Sequence, residues 1–231
     1  MSALPDERNK RHSRNGTSVT PQDNANLATK RVCVIGCGGL GGYIAEMLLR
    51  LGILHITLID HDVFDETNLN RQLFSTEDGI GKPKVLEAEK RLLAIDSSAN
   101  LRPIQTRVTA ENAEKLLAEH DVVIDALDNI ETRRITAKAC ESLSIPLVHG
   151  AIGGWYGQVS VIMPGGDGLQ PIYGSTCDNG IDKSLGNLPF VAGFVACMQC
   201  AETVKLLLGK SPNLQGSIAH VDLLSYDMDV F

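Results

Sequence analysis

Gly36, Gly38 and Gly41 stand at G-x-G-x-x-G spacing, and an acid, Asp60, closes the next apolar run. Glycines so placed let a chain turn tightly and bring its backbone up to a phosphate. The free N–H groups of a helix start then face that anion. By itself this pattern says only that a nucleotide binds. The residues after Asp60 are more specific. The chain reads Asp60-His61-Asp62-Val63-Phe64-Asp65-Glu66-Thr67-Asn68-Leu69-Asn70-Arg71-Gln72, and later Gly81-Lys82-Pro83-Lys84. A dehydrogenase needs one ribose-binding acid here and little else. A site for ATP and Mg²⁺ needs cations for the phosphates and acids near the metal.

Asp128-Asn129, with Arg133 after them, come at the end of a second apolar run. A carboxylate at the C-terminal edge of a parallel sheet sits where ligands bind in such folds. The competing role for Asp128 is to cap the next helix. Cys197-Met198-Gln199-Cys200 has C-x-x-C spacing but lies within a helical stretch. Two ligands cannot close a tetrahedral site, so these are read as buried small residues and no zinc is expected. Cys177 sits in a long loop. It is either a reactive thiol or merely an exposed one, and its surroundings decide which.

Strands alternating with helices must position these groups. Residues 32–35 and 55–59 read as short strands. Between them Leu40, Ile44, Met47, Leu48 and Leu51 form one apolar helical stripe. A helix is expected over 82–95 with Pro83 near its start, and a strand over 101–108. Thr109 is expected to cap a helix over 110–119. A strand over 121–127, a helix over 132–143 and strands over 146–152 and 158–163 come next. Residues 164–189 show little periodicity, and a loop that long is usually functional or mobile. A long helix covers 189–208, and two β-like runs finish the chain after residue 217. The fold class is α/β: a Rossmann-like, doubly wound, mostly parallel sheet with helices on both faces and a C-terminal antiparallel portion.

The chain has 231 residues, which suits one such domain with a full core. A net charge of −7 disfavours a nucleic-acid surface. Six scattered cysteines read as reduced thiols of a cytosolic protein, not a disulfide framework. Residues 1–29 are polar, without the apolar core of a secretory signal, and read as a mobile tail before a single domain over 30–231. The most apolar stretch, 188–208, contains Gln199, Glu202 and Lys205, so a buried helix explains it better than a membrane span.

The motifs resemble the E1-like (ThiF/MoeB/HesA) family, which adenylates the C-terminus of ubiquitin-like proteins. The resemblance runs from about Arg11 to Gly209. It implies that Gly36, Gly38, Gly39 and Gly41 form the nucleotide turn and that Asp60 and Asp62 lie beside it. Asn68, Arg71 and Gln72 match an Asn-Leu-x-Arg-Gln element, and Lys84 a Gly-x-x-Lys. Asp128, Asn129 and Arg133 match an Asp-Asn-x-x-x-Arg pattern in which the acid binds Mg²⁺. Arg71 and Lys84 would hold phosphate oxygens. Arg14 matches an arginine that reaches a partner subunit's ATP, in a homodimer. The loop over 164–189 would be a crossover loop, and Cys177 a residue bonded to the carrier or to sulfur. The implied partners are a small sulfur-carrier protein, for thiamine or molybdopterin-type cofactor synthesis, and a separate sulfur donor; neither nucleic acid nor membrane is expected. Three rivals stay open: a relative that adenylates a carboxylate on a tRNA base, an NAD-dependent dehydrogenase, and a non-enzymatic nucleotide-binding scaffold.

Overall fold

The computed structural model describes residues 10–174 and 182–231. Its centre is an eight-stranded sheet in the order β3-β2-β1-β4-β5-β6-β7-β8. The strands are β1 Arg31–Ile35, β2 His55–Asp60, β3 Asn100–Gln105, β4 Val122–Asp125, β5 Leu147–Gly153, β6 Tyr156–Ile162, β7 Ile218–Asp222 and β8 Asp227–Val230. β3, β2, β1, β4 and β5 run parallel, and β6, β7 and β8 add antiparallel. The helices are α1 Pro21–Leu27, α2 Gly41–Leu51, α3 Lys84–Ile95, α4 Ala113–Leu117, α5 Ile130–Leu143, α6 Gln170–Tyr173, α7 Asp182–Leu185 and α8 Pro189–Leu207.

Alternation along the strands sorts the core into two layers. Val32, Val34, Ile56, Leu58 and Ile124 face one side, where α2, α3 and α8 cover them. Cys33, Ile35, Ile59, Val123 and Leu147 face the other, under α4 and α5. Strands buried on both faces read as continuous apolar runs, which is the pattern of β1 and β4. The expected doubly wound sheet with an antiparallel C-terminal portion is therefore the observed one.

Several local expectations change. The polar N-terminal segment is built into the fold from residue 10 onward, not a mobile tail. Thr20 and Asp23 form a reciprocal capping box at the start of α1, with Pro21 in the first turn. Leu27 is fully buried, Asn24 donates to the Leu51 carbonyl at 2.8 Å, and Arg11 pairs with Asp96 at 2.8 Å. Polar composition concealed this because one leucine and a cap do the anchoring. α3 starts at Lys84 with Pro83 as its N-cap residue. β3 stops at Gln105, so Thr106 to Val108 leave the sheet and turn towards the crevice. α4 is shorter than expected, and the Thr109 side chain does not cap it; the Asn112 side chain accepts from the Thr109 backbone instead. The segment over 164–189 includes two short helices, α6 and α7.

α8 is long and apolar enough to cross a membrane by length and composition, yet half of it is buried inside this molecule. Val191, Val195, Gln199, Glu202 and Leu207 all lie in the interior. Cys200 is buried as expected, but Cys197 is exposed, because it falls on the outward stripe of α8 with Phe190 and Phe194.

Leu27→Ala is expected to destabilise the protein by about 2–5 kcal/mol. Urea unfolding should show a lower midpoint with an unchanged slope. A loss below about 0.5 kcal/mol would mean that α1 is not part of the cooperative core.

Candidate active site

The sheet order reverses between β1 and β4, and there a crevice of about 320 Å³ opens beyond the strand ends. Crevices at such switch points are the usual ligand sites of open α/β sheets. The glycine turn forms one wall. Gly36 has φ +96°, and a Cβ there would lie 2.5 Å from the Ala126 carbonyl oxygen. A Cβ on Gly41 would lie 1.8 Å from the Gly36 carbonyl oxygen. These two glycines let β1, β4 and α2 converge. Gly38 and Gly39 differ: added Cβ atoms would meet only ordinary side-chain contacts at 3.5 Å or more. The protein leaves that space open, and it faces the crevice.

Asp60 braces the turn. Its Oδ2 accepts from the Cys37 backbone N–H at 2.7 Å, and its Oδ1 from the Asp62 N–H at 2.9 Å. Each oxygen keeps a second lone pair for a ligand hydroxyl. Lys84 begins α3, is nearly buried and pairs with Asp62 at 3.3 Å. Arg71 reaches the Thr67 carbonyl at 3.1 Å and Asn70 Oδ1 at 2.8 Å, leaving further guanidinium donors. Gln72 lies behind Gly38, and its buried Oε1 has no hydrogen-bond partner among the described residues. A buried polar atom without a partner in a crevice wall suits a ligand donor. Asp60, His61 and Asp62 also bring possible metal-ligating atoms within 4.8 Å of one another.

On the opposite side, Asp128 is exposed at the rim, and Asn129 caps α5 by accepting from the Thr132 N–H at 2.8 Å. The capping role considered for Asp128 belongs to its neighbour, and the carboxylate is left facing the crevice. Of the residues singled out in the sequence, Gly36, Gly38, Gly39, Asp60, Asp62, Arg71, Gln72, Lys84, Asp128, Asn129 and Arg133 line this one space. Two nucleotide candidates do not. Gly41 is consumed by helix–strand packing. Asn68 is buried in its own turn, where its Oδ1 accepts from the Asp65 N–H at 3.2 Å. Arg14 is exposed in the turn Ser13–Asn15 and does not line this chain's crevice. Cys177 lies outside the described residues.

The structure adds a group that pattern reading missed. Asp125 ends β4 completely buried, and its Oδ2 lies 2.6 Å from Nδ1 of the equally buried His149. Arg133 approaches the same oxygen at 3.8 Å and donates to the Leu127 carbonyl and the Tyr173 hydroxyl. Tyr173 also lies 3.2 Å from His149 Nε2. Burial pushes the Asp125 carboxyl up, but the Arg133 charge and the His149 hydrogen bond together hold it below the usual range. Burial pushes His149 below its ordinary value, against the pull of Asp125, which favours the neutral imidazole. The available signal was an acid and a histidine inside apolar strand runs; their pairing joins β4 to β5 and is invisible in one dimension.

A match to the ThiF family runs over residues 12–231. The chain belongs to the ThiF family. It is 33% identical over 212 residues to the SAMP-activating enzyme E1 of Haloferax volcanii, covering 89% of this chain and 77% of that protein. It is 36% identical over 202 residues to the sulfur carrier protein ThiS adenylyltransferase of Bacillus subtilis, covering 83% of this chain and 58% of that enzyme. The sulfur carrier protein adenylyltransferase of Thermus thermophilus is 33% identical over 224 residues, with coverages of 89% and 79%. Among solved structures, E. coli MccB superposes with a TM-score of 0.82 at 22% identity, covering 96% of this chain and 69% of that one. PaaA superposes at 0.81 and 21%, covering 100% and 75%. At those identities the likeness concerns the fold alone.

Gly38→Val is expected to leave the fold intact and to lower ATP affinity at least tenfold, because a branched side chain would fill the open space; isothermal calorimetry measures it. Affinity within about twofold of wild type would remove the phosphate from this turn. A second expectation concerns pH. The folded protein holds His149 below its ordinary value of 6.5 and Asp125 below its ordinary value of 3.8, so in both cases the unfolded chain binds protons first. Stability should therefore fall as pH drops below about 6.5 and fall further through the carboxylate range. In thermal melts, His149→Gln should flatten the part of that fall nearest neutrality.

Proposed function

We propose that this chain uses ATP to adenylate the C-terminal carboxylate of a small ubiquitin-like sulfur-carrier protein. The Haloferax, Bacillus and Thermus relatives carry such activities in their names. The observation that carries the reading to this chain is the composition of one crevice. The open turn at Gly38 and Gly39, the cations Arg71 and Lys84, and the acids Asp60, Asp62 and Asp128 share it.

A carboxylate oxygen of the carrier attacks the α-phosphorus of ATP. The bond from that phosphorus to the bridging oxygen breaks, and pyrophosphate leaves. Both reactants are anionic, so positive charge must be in place beforehand. Arg71 presents guanidinium donors to phosphate oxygens, and its planar fork suits them. Lys84 adds a point charge at a helix start, balanced at rest by Asp62. Asp60 accepts from the ribose hydroxyls while bracing the turn. Asp128 is the residue that would hold Mg²⁺, whose charge offsets the phosphate oxygens. Holding the reactants together is the other large contribution.

Arg14 supplied by a second copy in a homodimer, Cys177 in a later sulfur step, a separate sulfur donor and a cytoplasmic location belong to the same proposal. So does an adenylation domain over 30–231, with the segment up to residue 29 packed on it from residue 10. The dehydrogenase and tRNA-base readings find no support in these relatives' names.

The deciding experiment is ATP–pyrophosphate exchange with candidate carrier proteins, including ThiS-type and SAMP-type proteins. Exchange should require the carrier's free C-terminus. Asp128→Ala should keep the fold and lower exchange by a hundredfold or more, about 3 kcal/mol of transition-state stabilisation. Near-normal exchange with unchanged Mg²⁺ dependence would make Asp128 a rim residue only.

A further inference from the structure

His149 is fully buried, and both ring nitrogens are engaged. Nδ1 meets the Asp125 carboxylate at 2.6 Å. A carboxylate only accepts, so Nδ1 carries the proton and Nε2 is the acceptor. Nε2 faces the Tyr173 hydroxyl at 3.2 Å and, more distantly, the Gln158 amide at 3.4 Å. The Tyr173 oxygen in turn accepts from Arg133 Nη1. The result is a chain with a direction: Arg133 donates to Tyr173, Tyr173 to His149, and His149 to Asp125. A cation in the crevice wall and an anion beneath it are joined through two neutral groups.

This chain occupies most of what Arg133 can offer. Nη1 goes to Tyr173, Nη2 to the Leu127 carbonyl, and Nε faces Asp125 at 3.8 Å. The guanidinium is held from three directions and is not free to swing onto a ligand as a fork. Tyr173 is itself anchored. The guanidinium of Arg133 lies 5.7 Å from its ring, and the His149 ring meets it edge-on at 5.6 Å. Arg134 Nη2 donates to the carbonyl of the next residue, Gly174, at 3.0 Å. Tyr173 lines the same crevice as Ile152, Gly157, Gln158 and the glycine turn.

We propose that Tyr173 is a positioning residue for the adenylation chemistry: its hydroxyl, braced by the buried Asp125–His149 pair, sets the Arg133 guanidinium in the crevice wall. The inference rests on the adenylation reading. Only a hydroxyl that donates and accepts at once can join these groups. Phenylalanine keeps the ring packing and breaks both links, leaving Arg133 Nη1 and His149 Nε2 without that partner. The titratable groups facing His149 are Asp125, Arg133 and Tyr173. In the intact chain the tyrosine oxygen already accepts from Arg133 Nη1 and, at 3.4 Å, from the Gln158 amide, so towards Nε2 the hydroxyl donates and a second imidazole proton finds no acceptor there. Without it, crevice water can deliver that proton.

Tyr173→Phe in the full-length protein should lower kcat for carrier-dependent exchange roughly ten- to a hundredfold. KM for ATP should stay within about twofold. Two further readouts separate positioning from packing. Imidazole-nitrogen NMR should find His149 as one neutral Nδ1–H tautomer across about pH 5–8 in the wild type, and titrating in Tyr173→Phe. The variant's pH–rate profile should gain an acid limb that the wild type lacks. Adding His149→Gln to Tyr173→Phe should remove that limb without restoring kcat. A Tyr173→Phe rate within about twofold of wild type, or identical His149 titration in both proteins, overturns the inference. Absence of exchange in the wild type overturns the adenylation reading and the catalytic half of this inference with it. Unaltered exchange in an active Tyr173→Phe variant overturns this inference alone.

Discussion

The close approach of three backbones at the switch point is the constraint on which the rest depends. Gly36 lies against Ala126 of the segment after β4, and Gly41 lies against Gly36. A single methyl group at either place would sit inside another residue's carbonyl oxygen. Because nothing larger than hydrogen is present, β1 and β4 can lie side by side while α2 starts directly above them. The crevice exists because the connections leave these two strands in opposite directions. Its walls are then whatever the strand ends and their adjoining turns carry.

Charge is arranged around that crevice in two tiers. The outer tier is Asp62, Arg71 and Asp128, at least partly solvated, with the nearly buried Lys84 paired to Asp62. The inner tier is Asp125, Arg133 and His149, buried and, with the half-buried Tyr173 at the crevice wall, mutually satisfied apart from Arg133 Nε. An unpaired charge at that depth would cost several kcal/mol, so each inner charge requires its partner. The outer tier therefore suits chemistry that moves charge, and the inner one suits fixing geometry. The same logic explains Glu46, which sits nearly buried on α2 with Arg50 at 2.8 Å and Arg91 at 3.0 Å. There the Arg91 pairing ties α2 to α3.

Much of this was legible in one dimension, because the relevant signals are local. Apolar runs of β1, β2 and β4, the stripe of α2 and the glycine spacing each depend on neighbours a few residues away. They determined an α/β sheet, a glycine turn between strand and helix, and a cluster of acids and cations at strand ends. The same locality explains Lys84, first in its helix, and Asp128, in the short link between β4 and α5. Where a polar segment folded through one buried leucine and a capping box, composition misled, since the averaged polarity of residues 10–29 hides Leu27 and Thr20.

What only the tertiary structure decided involves residues far apart in sequence. Asn68 carries the right identity at the right spacing, yet its side chain closes its own turn. Asp128 and Asn129 are adjacent, and only the backbone path after β4 makes the second the cap and leaves the first facing the crevice. Asp125, Arg133, His149 and Tyr173 come from β4, α5, β5 and α6, and no spacing rule joins them. They meet because parallel β4 and β5 bring Asp125 opposite His149, and because the chain returns after β6 to set Tyr173 over both. The sequence by itself determined which chemical groups were available and which elements would carry them. Which of those groups face a ligand, and which face one another, is set by long-range packing that excludes water.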